Sequence, residues 1–176
     1  KIVGPQTAIV VGVEKQTAYP EKYTQVKVQF HWDRQGDYNP NSSCWIRAGQ
    51  FYGGANHGMQ FTPRAGTEVI VDFVNGDPDR PQIAGMLPNA NNPLPFPTKD
   101  NPNISGIKTQ TPGNPLDYNE LSFDDTKGSQ KINIQAQNTL NLTAKGKEQT
   151  TIEGNLIHTV RGDYAHNSHS SISYKA

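Results

Sequence analysis

QKINIQAQ NTLNLTAK GKEQTTIE GNLIHTVR GDYAHNSH SSISYKA, running from Gln130 to Ala176, repeats with a period of eight. The third position of each unit holds Ile132, Leu140, Glu148, Leu156, Tyr164 and Ile172. The fifth holds Ile134, Leu142, Thr150, His158, His166 and Tyr174, and the seventh Ala136, Ala144, Ile152, Val160, Ser168 and Ala176. The even positions are mostly polar or charged. Alternation with period two marks a strand whose odd side chains share one face, and the longer period marks a stack of such strands. The first position, with Gly146, Gly154 and Gly162 in three successive units, reads as the corner between strands. Glycine there is expected to supply the positive φ of a tight turn.

An eight-residue unit cannot close a coil around a core of its own. At ~3.3 Å per strand residue, a single-chain coil needs roughly 18 residues. One strip of three inward side chains has nothing to pack on. Three chains that each offer such a strip around an axis close a triangular core and pair each other's strand edges. The spacing therefore predicts a homotrimer. Its expected core is Ile132, Ile134, Ala136, Leu140, Leu142, Ala144, Ile152, Leu156, His158 and Val160, with Gly146, Gly154 and Gly162 at the turns.

Upstream, residues 89–129 read as a linker with a lead-in strand. Prolines at 88, 93, 95, 97, 102, 112 and 115 exclude helix and central strand from its proline-rich part, 89–119. Residues 1–88 read as five or six short strands. Ala8–Val13 is apolar and β-branched. In Val26-Lys27-Val28-Gln29-Phe30 the odd-one-out residues alternate, so that Val26, Val28 and Phe30 share a face. Cys44–Ala48, Thr67–Val74 and Gln82–Met86 follow. So many strands in under 90 residues point to a small barrel. The fold class is all-β: an OB-like barrel over 1–88, a linker over 89–129 and an intertwined triple-stranded β-helix over 130–176.

The composition agrees with this division. Only 33% of the 176 residues are apolar, with 16 Gly and 13 Pro, which suits turn-rich β structure and a solenoid burying a narrow strip. Sixteen basic residues balance sixteen acidic ones. That leaves no cationic footprint for nucleic acid or for a membrane surface. The single Cys44 rules out an internal disulfide framework and is expected to be a buried structural thiol. Beginning at Lys1, the chain reads as a fragment.

Several motifs resemble a known family. Asn41-Ser42-Ser43-Cys44-Trp45-Ile46-Arg47, Phe61-Thr62-Pro63-Arg64-Ala65-Gly66-Thr67-Glu68-Val69-Ile70-Val71-Asp72-Phe73 and Gly76-Asp77-Pro78-Asp79-Arg80-Pro81 are similar to the VgrG spike proteins of the bacterial type VI secretion system. Ser105–Thr109 and Asn119–Gly128 continue the match in order, and Ile152-Glu153-Gly154 and Val160-Arg161-Gly162 look like that family's valine-glycine steps. The resemblance implies an OB-fold domain and a triple-stranded β-helix needle. It implies a trimer that caps a tube of Hcp-type protein, carries a PAAR-type tip or effector, and pierces the target membrane mechanically rather than binding it. It further implies assembly in the bacterial cytoplasm followed by secretion, and base domains and needle tip outside this segment.

No catalytic residue, cofactor or metal is expected. Asp77 and Asp79 sit in a proline-fixed turn rather than in two differently tuned pockets, as acid–base work requires. His158 and His166 share a column and would form rings of three imidazoles about an axis. Two rings on separate layers without further ligands read more simply as polar core. Trp32, Trp45, Phe51 and Tyr52 could stack bases, but Lys27, Arg34, Arg47 and Arg64 are scattered among acids. The alternatives to a type VI spike are a phage or phage-like contractile tail spike, and an OB-type binding module. If the odd columns face inward, Leu142→Asp reduces the assembly to monomer in light scattering. A variant that stays trimeric with the wild-type melting temperature contradicts the assignment.

Overall fold

The computed structural model describes residues 1–13 and 18–170; Ile172, Tyr174 and Ala176 of the repeat lie outside the described residues. Ten strands follow in chain order: β1 (Gln6–Val11), β2 (Gln25–Phe30), β3 (Ile46–Ala48), β4 (Gly53–Gly54), β5 (His57–Gly58), β6 (Glu68–Phe73), β7 (Pro81–Leu87), β8 (Ile104–Lys108), β9 (Glu120–Asp124) and β10 (Lys131–Gln135). The first unit of the chain is Lys1–Thr139 and the second Leu140–Ala176.

Five strands close into a barrel in the order β1-β2-β3-β7-β6. Closure removes every free sheet edge, which a small β domain otherwise exposes. The period-two residues of the sequence line its interior: Ala8 and Val10 from β1, Val26 and Val28 from β2, Ile46 from β3, Val69, Val71 and Phe73 from β6, and Ile83 from β7. Val10 lies opposite Val28, and Ala8 opposite both Phe30 and Val69, so β-branched and small residues alternate across the bore. Between Ile70 and Val71 the β6–β7 ladder slips by one residue on β7, a bulge of the kind that lets a short sheet curl shut. β3 and β7 form the parallel pair that completes the ring.

The turn after β6 needs its glycine. Asn75 and Gly76 both have positive φ, 57° and 70°. A Cβ on Gly76 would lie 2.5 Å from the carbonyl oxygen of Ile2. That close approach lets the Ile2 amide donate to the Gly76 carbonyl at 2.8 Å and ties the start of the chain to the barrel. Asp77 and Asp79 fall where a structural role expects them: the Asp77 carboxylate accepts from the Asp79 amide at 3.0 Å.

Three expectations change. Gln29, on the outward side of β2 by alternation, is fully buried. The loop 33–43 folds over it: Gln29 Nε2 donates to the Asp33 carbonyl, the Val28 amide to Ser43 Oγ, and Lys27 Nζ to the Pro40 carbonyl. Cys44 is exposed, not buried. The β3 ladder starts two residues later with Ile46 facing the core, so Cys44 precedes the barrel wall. Residues 89–119 form neither helix nor central strand, as their prolines require. Their proline-free window Ile104–Lys108 is nonetheless an edge strand of a second sheet, β10-β9-β8.

Ile46 is among the largest fully buried side chains. Ile46→Ala is expected to destabilise the barrel by about 2–5 kcal/mol. Ile157→Ala, at a position 80% exposed, should leave the denaturant midpoint unchanged. Chemical unfolding of both variants checks the pair.

Candidate assembly surface

The three-stranded sheet has two unlike faces. Its register sets Ile107 and Ile134 beside Leu121, and Ser105 and Ile132 beside Phe123. These residues share one face, because side chains opposite each other across antiparallel strands point the same way. Ile107, Leu121 and Phe123 are 38–42% exposed, and Ile132 and Ile134 are both 65% exposed. The alternate positions form the other face, and there the polar groups satisfy each other. Ser122 Oγ donates to Glu120 at 2.6 Å, Asn133 donates to Ser122 at 3.2 Å, and Lys131 stands 3.7 Å from Asp124. Gly106 makes room on that face, since a Cβ would press on the carbonyl of Leu121 and on Ser122. One face is thus internally paired, and the other exposes Ile107, Leu121, Phe123, Ile132 and Ile134 around Ser105.

Ile132 and Ile134, expected in the core strip, are brought into β10 and paired to β9. Ala136 follows the strand and is half-buried. Leu121, Phe123 and Ile107 were not anticipated in the strip. The alternation Leu121-Ser122-Phe123 carried the signal, but these residues lie upstream of the repeat that drew the boundary at 130.

Within Leu140–Ala176 the described residues, through 170, contain no strand, and all of them are exposed. Leu140, Leu142, Ile152, Leu156 and Val160 are 44–77% exposed. The backbone nevertheless keeps the repeat. From Gln137 onward it bends at 137–138, 145–146, 153–154, 161–162 and 169–170, at the eighth and first positions of successive units. Gly146, Gly154 and Gly162 lie at these bends. None has φ in the left-handed region, and a Cβ on any of them meets nothing within 4 Å of its own chain. These corners are wide, so they do not demand the dihedral freedom that Gly76 uses. His158 and His166 are exposed, and among the described residues no cluster of three metal-ligating side chains forms.

The remaining candidates stay apart. Trp32 stacks on Phe30 and donates to Gln6, Trp45 packs on Tyr19 with Lys27 over its ring, and Tyr52 meets His57. An open groove of about 870 Å³ runs past Phe61, Arg64, Met86, Ile107 and Gln110, with Arg64 donating to the Gln110 carbonyl. Among the described residues its lining has no carboxylate, histidine or cysteine. Among the described residues three carboxyls are held below their ordinary values. Glu68 is lowered chiefly by the Asn89 amide, which donates at 2.8 Å, then by Thr7 and by His31 at 3.7 Å. Asp33 is lowered first by the Gln29 side chain and then by the amides of Gln35 and Gly36. Asp124 is lowered by Thr126 and then by Lys131. Each is a fastening: Glu68 holds residue 89 to β6, Asp33 holds the loop over β2, and Asp124 closes the polar face of the sheet.

Residues 6–87, from the first residue of β1 to the last of β7, match the type VI secretion system/phage-baseplate injector OB domain. Residues 105–173 match the bacteriophage T4 gp5 C-terminal trimerisation domain. The chain is 45% identical over 136 residues to the type VI secretion system spike protein VgrG1a of Pseudomonas aeruginosa, which is 76% of this chain and 21% of that protein. It is 42% identical over 147 residues to VgrG1b of the same organism, 82% of this chain and 20% of that protein. It is 36% identical over 160 residues to the actin cross-linking toxin VgrG1 of Vibrio cholerae, 91% of this chain and 14% of that protein. The chain thus spans about a fifth or less of the length of these curated relatives.

The three fastened carboxyls give a pH dependence of definite sign. Their folded pKa values lie below the unfolded ones, so their stabilisation is complete above the ordinary carboxyl range and lost as pH falls through the folded values. The melting temperature should hold from neutral pH to about 5 and fall below it. Glu68→Gln, which cannot ionise, should melt lower at neutral pH and lose part of the acid-side fall. Thermal unfolding of both proteins across that range measures it.

Proposed function

The chain belongs to the VgrG family of type VI secretion spike proteins, and we propose that it is the junction of the spike, where an OB barrel gives way to the trimeric needle. In this reading three copies stand around one axis. The barrels form a collar, and the repeats of residues 130–176 wind into a triple-stranded β-helix. The chain acts mechanically and catalyses no reaction. Its trimer caps a tail tube of Hcp-type protein, carries a PAAR-type tip or effector at the far end, is assembled in the bacterial cytoplasm, and is driven out through a target membrane that it pierces rather than binds.

The observation that carries this reading is the repeat itself. Apolar side chains recur on a backbone that bends every eight residues, and among the described residues from 136 to 170 it forms no strand while Leu140, Leu142, Leu156 and Val160 stay exposed. Bare Leu, Ile and Val are costly in water unless other chains cover them, and an open strand edge is a ready template for pairing with another chain. Each such side chain contributes about 1.5–3 kcal/mol on burial, and a trimer counts each three times. A needle held together this way resists unfolding under axial load, because every strand is tied to two neighbours. The match of residues 105–173 to a phage trimerisation domain supports the same geometry. The names of the relatives favour type VI secretion over a phage tail.

The test is secretion. In the bacterium that makes this chain within its full-length protein, Leu140→Asp with Leu142→Asp should abolish release of the tube protein into the medium and killing of neighbouring cells. The protein itself should still accumulate. Undiminished release by the double variant would contradict the proposal.

A further inference from the structure

We propose that the loop from Asp33 to Ser42, between β2 and β3, is a calcium site, in which the carboxylates of Asp33 and Asp37 and the side-chain oxygens of their neighbours hold one ion beside the buried amide of Gln29. The site belongs to a single barrel and does not depend on how many copies associate.

The spacing of the residues is the first observation. Asp33, Gln35, Asp37, Asn39 and Asn41 occupy every second position, and each carries a side-chain oxygen. A loop that wraps a calcium ion presents oxygens at alternate positions in this manner, from carboxylates, amides and backbone carbonyls. The loop encloses a hollow of about 340 Å³. These five residues line it together with Ser42 and Gly36, and among the described residues no lysine, arginine or histidine does.

The loop's own turns explain part of this oxygen set. Asp33 Oδ1 accepts from the amides of Gln35 at 3.0 Å and Gly36 at 3.1 Å. Asn39 Oδ1 accepts from the amide of Asn41 at 2.8 Å, and Ser42 Oγ from the amide of Asn39 at 3.2 Å. Two groups are left over. The Asp37 carboxylate has no partner among the described residues. Gln29 is fully buried, yet its Oε1 has no hydrogen-bond partner among them either. Turning the amide round does not cure this. Nε2 donates to the Asp33 carbonyl at 3.1 Å, and a carbonyl only accepts, so the oxygen is the end that points elsewhere. It points at Gly36, where a Cβ would overlap it. Glycine at 36 thus lets a buried, unpartnered oxygen reach the lining of the hollow.

A buried oxygen without a donor calls for a bound water or an ion. The two carboxylates select the ion, because no cation of the chain neutralises them: neither Asp33 nor Asp37 has a salt bridge among the described residues. Lys27, on the same side of β2 as Gln29, donates to the Pro40 carbonyl and stands over the Trp45 ring instead. Among the described residues no three His, Cys, Asp or Glu side chains gather, so the set does not suit zinc, which takes thiolate and imidazole. Calcium accepts about six to eight oxygens in loose geometry, amide and backbone carbonyls among them, where magnesium demands a near-ideal octahedron. Cys44 stands twelfth from Asp33, where a calcium-binding helix–loop–helix places its bidentate glutamate. With two carboxylates and no such glutamate, binding belongs at about 10⁻⁴–10⁻³ M, the range of extracellular modules. A bound ion ties the loop to β2 through Gln29, beside the bond that Ser43 Oγ accepts from the Val28 amide.

Terbium luminescence and calorimetry test the site on the whole chain. Terbium takes calcium's ligands, and Tyr38, in the loop and exposed, excites it. The expected result is tyrosine-sensitised terbium emission that calcium displaces at about millimolar concentration and magnesium displaces about tenfold less readily. By calorimetry Asp37→Asn should bind calcium about tenfold more weakly than wild type, since affinity follows ligand charge. It should keep the wild-type melting temperature in chelator, because Asp37 is exposed. Asp100→Asn, which removes an exposed carboxylate outside the loop, should bind as wild type does. If Asp37→Asn melts lower in chelator, Asn41→Ala, at another exposed position of the lining, decides on the same terms. No calcium heat and no displacement of terbium overturns the proposal and leaves a water as the partner of Gln29. Undiminished binding by the loop variants places the ion elsewhere and also overturns it. Displacement by magnesium as readily as by calcium overturns the choice of ion. None of these outcomes bears on the association of chains, so this inference and the trimeric reading fail separately.

Discussion

The constraint on which everything else depends is that residues 136–170 have no strand partner in their own chain. Water can satisfy an open backbone, but a row of Leu, Ile and Val needs cover. The barrel provides that cover internally by closing, and the second sheet pairs three strands while leaving one face open. The described residues of the repeat beyond 136 form no strand, and their Leu, Ile and Val stay exposed. Its exposure is therefore the property that points outward to other copies, and the rest of the chain can be understood as what holds it ready.

The barrel is suited to that service because it is self-sufficient. Nine buried apolar residues fill it, its strands leave no edge, and its turns are tied by Gly76 and Asp77. Glu68 and Asn89 fasten its wall to the start of the segment leading to β8, and Arg64 reaches the Gln110 carbonyl. The sheet that follows is a transition between two regimes. Its polar face is finished within one chain, as a globular domain's would be, and its apolar face is left open, as the repeat's is. Over β8 to β10, within Lys1–Thr139, buried polar pairing on one face gives way to exposed Ile, Leu and Phe on the other.

Much of this was legible in the sequence because period-two and period-eight patterns survive without knowledge of partners. The alternation of Val26 and Val28, and of Val69, Val71 and Phe73, gave the barrel walls. What escaped had a local cause in each case. β8 was hidden because five proline-free residues sit among prolines whose effect was spread over the whole segment. Leu121 and Phe123 were missed because the eight-residue frame starts later. Cys44 and Gln29 exchanged their expected places because a loop, invisible to periodicity, covers one and leaves the other outside the ladder. Gly146, Gly154 and Gly162 lie at bends without positive φ, because a wide bend in an extended chain does not require it, whereas the tight turn at Gly76 does.

The account stands or falls on association of identical chains. Sedimentation equilibrium of the chain as it is, 19.4 kDa, measures that without any substitution. The account predicts a single species of about 58 kDa, three times the chain mass. A protein that stays at the mass of one chain across the accessible concentration range would contradict it.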